Sequence, residues 1–295
     1  METGLIAFLL ATTAGLGLES SLRLAVLMGF LVVLSLFLIL ARSGLRLQVV
    51  VAEANVAGYA PRARWLVLSL APYFLYGLLF LSLNLVSSVT GWFGALPAGG
   101  DRDEAIRVLG LGMTVAIVPF LITVGISEYG LRQFFLASRR LATTLTIDSG
   151  GALAEAIQAL RGRQRAFLLS ALVVASGLTF WGLKWAEGSG LDWGLLDGQR
   201  GTFVVGMGLF GYMLLALGMF DCSLFVTLSR PRLALKALGA GLLTSLALAA
   251  PLSWTLGYQY AAVAFVVGTA VFLLTTALEA KRLFRRADLA YYTSF

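Results

Sequence analysis

The chain has 295 residues, 59% of them hydrophobic and 13% charged, with a formal charge of +7 and a mean hydropathy of +0.89. Soluble domains carry about 25% charged residues, so a water-soluble fold is excluded and a single membrane domain is indicated. The sequence has no histidine and a single cysteine, Cys222, which excludes histidine-based catalysis, His/Cys metal sites and internal disulfides. No metal and no cofactor is therefore expected.

About eight segments are long and apolar enough to cross a bilayer, whose hydrocarbon core needs about 20 helical residues. The first segment lacks the basic n-region of a cleaved signal peptide, which indicates a retained helix. The predicted fold is therefore all-α, a polytopic bundle of transmembrane helices. In chain order the predicted spans are 3–18, 23–41, 65–92, 108–131, 166–185, 202–228, 236–256 and 260–280.

The loops between these spans alternate in charge. Segments 42–64 and 132–165, the turn after the sixth span and the tail after the eighth are basic, whereas the loops around Asp101 and Glu187 are acidic. Basic loops remain in the cytoplasm, so both termini are predicted to be cytoplasmic and the membrane to be the cytoplasmic (inner) membrane. Because the basic residues flank apolar spans, they indicate contact with the lipid bilayer rather than with nucleic acid.

Three polar residues inside the predicted spans are candidates for a transport pathway, because such groups are costly at membrane depth. Asn84, in the third span, is placed to line a polar cavity or to bond across helices. Glu128, in the fourth span, precedes Arg132 by four residues, a spacing that favours a surface ion pair over a pathway role. Asp221 lies about 10 Å toward the cytoplasm from the middle of the sixth span, within reach of a neighbouring helix. A functional and a purely structural role stay open for it.

Two further features concern helix shape and packing. Pro119 lies mid-membrane in the fourth span and is the hinge candidate, with a static kink favoured over a moving one. The seventh span carries small residues at four-residue spacing, a pattern that lets a neighbouring helix approach closely. Ordinary helix packing is favoured here over a substrate-facing groove. The small residues are Ala237, Gly241, Ser245 and Ala249.

The basic segment after the fourth span predicts a short amphipathic helix near 149–162. Leu153, Ile157 and Leu160 recur at helical spacing, and Gly162 is the predicted end of the helix. Such a helix is expected to lie along the membrane surface with its basic residues toward the headgroups.

No catalytic constellation accompanies these features. The sequence has no phosphate-binding glycine loop, no nucleophile elbow and no paired carboxylates at a useful spacing. An enzyme is therefore not expected.

Four stretches together carry a resemblance to a known family. The chain resembles the polysaccharide transporters of the MOP (multidrug/oligosaccharidyl-lipid/polysaccharide) exporter superfamily, and within it the Pel exopolysaccharide transporter family. The resemblance covers about 64–295 and none of its motifs is a strict signature. The stretches are "RWLVLSLAPYFLYGLLFLSLNLVSSVTGW" (64–92), "ISEYGLRQFFLASRR" (126–140) followed by "GGALAEAIQALRGRQRAFL", "FDCSLFVTLSRPRLALKALGAGLL" (220–243) and the ending "RLFRRADLAYYTSF".

The resemblance implies a particular domain organisation. Residues 64–295 would form the six-helix C-terminal lobe of such an exporter, and residues 1–63 a two-helix hairpin from the end of the N-terminal lobe plus a cytoplasmic loop. The chain departs from the family in supplying only part of the first lobe and little charge along a cavity. The small-residue face of the seventh span is then expected to lie partly on a surface that the missing lobe would cover, which predicts self-association or a partner membrane protein.

The function implied by the resemblance is flippase-like export of a polysaccharide or lipid-linked sugar, by a complete, partial or split transporter. Two alternatives stay open: a non-transporting subunit that scaffolds a polysaccharide synthase complex, and a cation-coupled multidrug exporter. A water-accessible cavity lined by Asp221 and Asn84 would favour transport, whereas a closed, dry bundle would favour scaffolding.

Overall fold

The computed structural model describes residues 63–95, 102–144, 152–189, 199–228 and 230–284. The predicted spans 3–18 and 23–41 lie outside these residues. The chain divides into two compact units, Met1–Ala71 and Pro72–Phe295. The packing described below lies within the second unit.

The described residues are helical and contain no strand, which confirms the all-α prediction for this part of the chain. Six stretches are long and apolar enough to cross a membrane, and they correspond to the last six predicted spans. The protein is therefore a multi-pass membrane protein. The helices are α1 (Ala63–Ala95), α2 (Arg102–Ala116), α3 (Val118–Thr144), α4 (Ala152–Gly188), α5 (Gln199–Thr227), α6 (Pro231–Leu256) and α7 (Ala261–Phe284), with a 3₁₀ turn at Tyr258–Tyr260 before α7.

Helix α5 is the centre of the unit. It is apolar on all sides, as expected of a helix surrounded by other helices, and it packs against α2, α3, α4, α6 and α7. It also meets α1, where the Tyr76 hydroxyl donates to the Met219 Sδ at 3.3 Å. By contrast, α4 directs one apolar face outward, including Phe167, Leu178 and Trp181, which are more than 60% exposed. The outward face is suited to lipid.

Glycines on α5 accommodate aromatic side chains of α7. The ring of Phe265 lies where a Cβ on Gly211 would be only 2.6 Å away, and the ring of Phe272 lies as tightly against Gly218. Both glycines and both phenylalanines are seven residues apart, so the two contacts repeat after two helical turns. Small residues thus bring α5 and α7 into close contact, as is common between membrane helices.

The span that contains Pro119 is interrupted beside that proline. Helix α2 ends at Ala116 and α3 begins at Val118, although Ile117 still donates to the Met113 carbonyl at 3.1 Å. Proline has no N–H to continue the ladder, so a break is expected there. Pro119 itself is buried.

Local sequence signals set the boundaries of α6. Pro231 opens this helix in the first turn, where the missing N–H costs nothing. Gly257 follows its end with φ of 112°, a conformation that only glycine adopts readily, and this allows the immediate turn into α7.

One sequence prediction about α4 is wrong. The predicted amphipathic helix does not end at Gly162 but continues into the following span as a single helix, Ala152–Gly188. Ile157, Leu168 and Leu172 are buried along one stripe that runs past the glycine. A single glycine within a helix costs about 1 kcal/mol, which packing of this stripe can offset.

Candidate functional site

A buried carboxylate at one end of the bundle forms the candidate site. Asp221, on α5, is fully buried, and Arg161 on α4 binds it through both carboxylate oxygens. The Arg161 Nε donates to Oδ1 at 2.8 Å, and its Nη2 donates to Oδ2 at 2.8 Å. Two parallel charge-assisted bonds of this kind are the strongest geometry that an arginine and a carboxylate can form.

A second arginine of α4 faces the same carboxylate. Arg165 follows Arg161 by four residues, so both side chains lie on one face of the helix. Its Nη2 is 3.5 Å from the Asp221 Oδ2, and its side chain is 26% exposed, against 11% for Arg161. Within the described residues, this cluster therefore has two positive charges and one negative charge.

Polar and aromatic contacts tie the same region of α4 to other helices. The Gln164 Nε2 donates to the Gly130 carbonyl of α3 at 2.8 Å, while the Gln164 Oε1 is buried without a hydrogen-bond partner. The guanidinium of Arg161 lies 5.7 Å from the centre of the Phe284 ring at the end of α7. Four helices thus converge around Asp221, and we call this part of the bundle the Asp221 end.

A second group of three charged residues lies on α6 and α7. The start of α6 and the end of α7 both lie at the Asp221 end. Glu279 is paired with Lys236 at 2.5 Å and with Arg282 at 3.4 Å. The carboxylate side chain is 11% exposed, whereas the two cations are 61% and 72% exposed. Exposed cations around a buried carboxylate contribute less than the Asp221 pair because solvent screens them.

The opposite end of the bundle has a weaker polar group. Tyr258 donates to the Glu104 carboxylate at 3.0 Å, and Arg200 approaches the same oxygen at 3.4 Å. Arg200 and Glu104 are 58% and 35% exposed. We call this part of the bundle the Glu104 end.

The partner of Asp221 was not predicted from the sequence. Arg161 was placed among basic residues that face lipid headgroups, whereas its side chain is buried in the bundle. The signal was available in the spacing, because Arg161 continues the stripe of Ile157 and Leu168 on one face of α4. Asp221 does lie within reach of a neighbouring helix, as its depth predicted.

The other two pathway candidates occupy different surroundings. Asn84 is half-buried on α1, where its Nδ2 donates to the Phe80 carbonyl at 2.7 Å and its Oδ1 is buried without a partner. Glu128 is exposed on α3, and among the described residues it forms no ion pair with Arg132. The structure does not bring Asn84 or Glu128 into contact with Asp221.

The small-residue face of α6 is occupied within the chain. All four residues are buried, and a Cβ on Gly241 would lie 2.8 Å from the Gly268 carbonyl oxygen of α7. The expectation that this face lies on a surface left by a missing lobe is therefore wrong, because α7 of the same chain covers it. Ala237, Ser245 and Ala249 complete the face.

The chemistry available at the site is that of a closed ion pair. Both Asp221 oxygens accept hydrogen bonds from Arg161, so the pair joins α4 to α5. No group of three or more His, Cys, Asp or Glu residues that could hold a metal occurs among the described residues.

Comparison of the chain with family models, with curated proteins and with solved structures gives no match.

Proposed function

We propose that this chain is a flippase-like component of the cytoplasmic membrane that exports a polysaccharide or lipid-linked sugar. The observation that supports this best is the buried Arg161–Asp221 pair, which joins α4 to α5 at one end of the bundle. Charged groups that are buried between the helices of a membrane protein are costly, and they mark transport pathways and the elements that gate them. The substrate class rests on the resemblance of 64–295 to exopolysaccharide transporters.

Within this proposal, the Arg161–Asp221 pair does not bind substrate. It acts as a latch, that is, an ion pair that holds α4 against α5 when it is closed. Closing it fixes α4 against α5, and opening it would require both ions to find other partners. A contact that opens and closes in this way would suit alternating access, in which two helix bundles rock around a central site. The six described spans supply one such bundle, so the chain is proposed to work with a second bundle, from another copy or another membrane protein.

Scaffolding of a polysaccharide synthase complex is the second candidate function. It is favoured by the full pairing of Asp221, because a carboxylate that is closed off by Arg161 does not line an open pathway. A cation-coupled multidrug exporter is less well supported, since Asp221 and Glu279 are both occupied by basic side chains.

Deleting the gene for this chain, in a cell that makes the polysaccharide, distinguishes the three candidate functions. Loss of an exporter is expected to stop secretion while lipid-linked or polymeric sugar accumulates inside, measured by labelled-sugar fractionation. Loss of a scaffold would stop synthesis without accumulation, which would contradict the proposal. Increased drug sensitivity with normal secretion would indicate the multidrug exporter instead.

The orientation of the bundle is tested by reporter fusions. Because the basic segments are proposed to face the cytoplasm, fusions after Ser149 and Phe295 are expected to score cytoplasmic, and those after Gly99 and Gly190 external. An alkaline phosphatase and green fluorescent protein pair gives opposite signals for the two sides. A cytoplasmic signal after Gly99 would overturn the orientation.

A further inference from the structure

Arg165, the second arginine beside the Arg161–Asp221 pair, has hydrogen-bond donors that the pair does not use. Arg161 occupies both oxygens of Asp221, so Arg165 has only a 3.5 Å approach to Oδ2. Within the part of the chain that the structure describes, the Arg165 guanidinium makes no hydrogen bond. A guanidinium has five N–H donors and cannot lose its proton in a protein, so Arg165 is a positive group that still needs hydrogen-bond acceptors.

The position of Arg165 along α4 matches the level of lipid phosphates. Trp185, 65% exposed, lies near the Glu104 end of this helix, where a tryptophan would anchor one membrane interface. The 20 residues from Trp185 to Arg165 rise about 30 Å, the thickness of a hydrocarbon core. Arg165 therefore lies at the opposite interface, and its partly exposed side chain is accessible from there.

The nearest charges favour an anion as the ligand of Arg165. The cluster of Arg161, Arg165 and Asp221 has a net positive charge, and Arg161 holds the only carboxylate that Arg165 approaches within 4.0 Å among the described residues. A planar guanidinium binds two phosphate oxygens through parallel hydrogen bonds. Because the cluster is net positive, it favours a phosphate with net negative charge over one that carries a cationic choline or amine.

We propose that Arg165, set in place by the Arg161–Asp221 pair, binds the phosphate group of an anionic lipid or of a free phosphate compound. The shared ligand chemistry is a phosphate monoester or diphosphate oxygen pair at the membrane interface. Arg165 supplies the hydrogen-bond donors, and the Arg161 guanidinium adds positive charge. Asp221 holds α4 against α5 through its bonds to Arg161. Binding of phosphate at Arg165 does not depend on transport by the chain.

The test measures binding to the purified full-length chain in detergent, by native mass spectrometry. The probes are dioctanoyl phosphatidic acid, dioctanoyl phosphatidylcholine and inorganic pyrophosphate. The wild-type chain is expected to bind phosphatidic acid in preference to phosphatidylcholine, and Arg165→Gln to lose about tenfold or more in affinity for it, the effect of one charge-assisted hydrogen-bond pair. Pyrophosphate binding that is also lost in this variant would support the site with a free phosphate as ligand, whereas binding of phosphatidic acid alone would support a lipid ligand.

Arg163→Gln is the matched control. It removes the same charge from the same helix, two residues away on the exposed opposite face, and is expected to leave affinity nearly unchanged. Equal losses in Arg163→Gln and Arg165→Gln would mean diffuse surface attraction and would overturn the proposal, as would no loss in Arg165→Gln. Arg165→Lys keeps the charge and the fold but not the planar fork, so it is expected to bind more weakly than wild type. Unchanged affinity in Arg165→Lys would also overturn the site.

Discussion

Asp221→Asn is expected to lower the free energy of unfolding by about 3–5 kcal/mol, because it leaves the Arg161 guanidinium buried without a counter-charge. Arg165 would then add repulsion, since only Asp221 separates the two cations within this cluster. The measurement is unfolding of the purified chain in mild detergent, followed by circular dichroism during titration with a denaturing detergent. Membrane insertion, checked by fractionation, is expected to persist because the apolar spans are unchanged.

Glu104→Gln is the matched control for this prediction. It breaks a 3.4 Å pair with Arg200 in which both side chains are substantially exposed, and its cost is expected to stay below about 1 kcal/mol. The double variant Arg161→Gln/Asp221→Asn removes both charges of the buried pair and is expected to be more stable than Asp221→Asn alone. If Asp221→Asn costs no more than Glu104→Gln, the Asp221 pair is not a buried ion pair in the membrane and the proposed latch fails with it.

The measured stability of Asp221→Asn also determines how the activity of this variant can be interpreted. From the sequence alone, impaired transport or assembly with normal insertion would have indicated that Asp221 faces a cavity or a partner helix. The pairing with Arg161 makes loss of packing between α4 and α5 an equally direct cause. Activity is therefore interpretable only for variants whose unfolding has been measured, and the double variant is the more informative one.

The positions of the spans followed from the sequence because hydropathy is a local property. Four of the six corresponding helices begin and end within five residues of the predicted limits, whereas α4, and α2 and α3 together, extend up to 14 residues beyond them. The contact of Asp221 with a neighbouring helix also agrees with the sequence, whereas its depth in the bilayer stays a prediction.

The arrangement around Asp221 did not follow, because it depends on two facts that are not local. The first is that α4 continues through Gly162, which puts Arg161 on the same stripe as the buried residues of the span. The second is that α4 packs beside α5, with Arg161 level with Asp221. A glycine in a basic loop suggested a helix end, and burial of the following stripe outweighed that preference.

For the small-residue face of α6, the sequence likewise predicted the local pattern but not the helix that packs against it. Its four-residue spacing was readable in the sequence, and all of its members are buried. Its partner was misassigned, because a pattern on one helix does not specify which helix covers it. The immediate turn at Gly257 brings α7 back along α6, so the nearest helix in sequence is the one that fits the face.

Gly241→Leu is consequently expected to destabilise the chain itself rather than an interface between chains. A Cβ on Gly241 would lie 2.8 Å from the Gly268 carbonyl oxygen and 2.8 Å from the Phe272 Cβ. Backbone atoms of α7 cannot move aside without separating the two helices, so the cost is expected near the upper end for overpacking, about 3 kcal/mol. Displacing Phe272 would also loosen its contact with Gly218 on α5. The measurement is again detergent-induced unfolding, accompanied by light scattering to follow the oligomeric state.

Gly239→Leu provides a control on the same helix, two residues away. Among the described residues, no atom beyond the neighbouring turns of α6 lies within 4 Å of a Cβ built on Gly239. Leucine there meets open space and replaces a poor helix former with a good one. Its stability is expected to equal or slightly exceed that of the wild type. A Gly241→Leu chain that unfolds like wild type but dissociates from larger assemblies would contradict packing within the chain, because it would mean that the small-residue face contacts another subunit. Destabilisation of Gly241→Leu alone, with unchanged mass, is the result that packing of α6 against α7 requires.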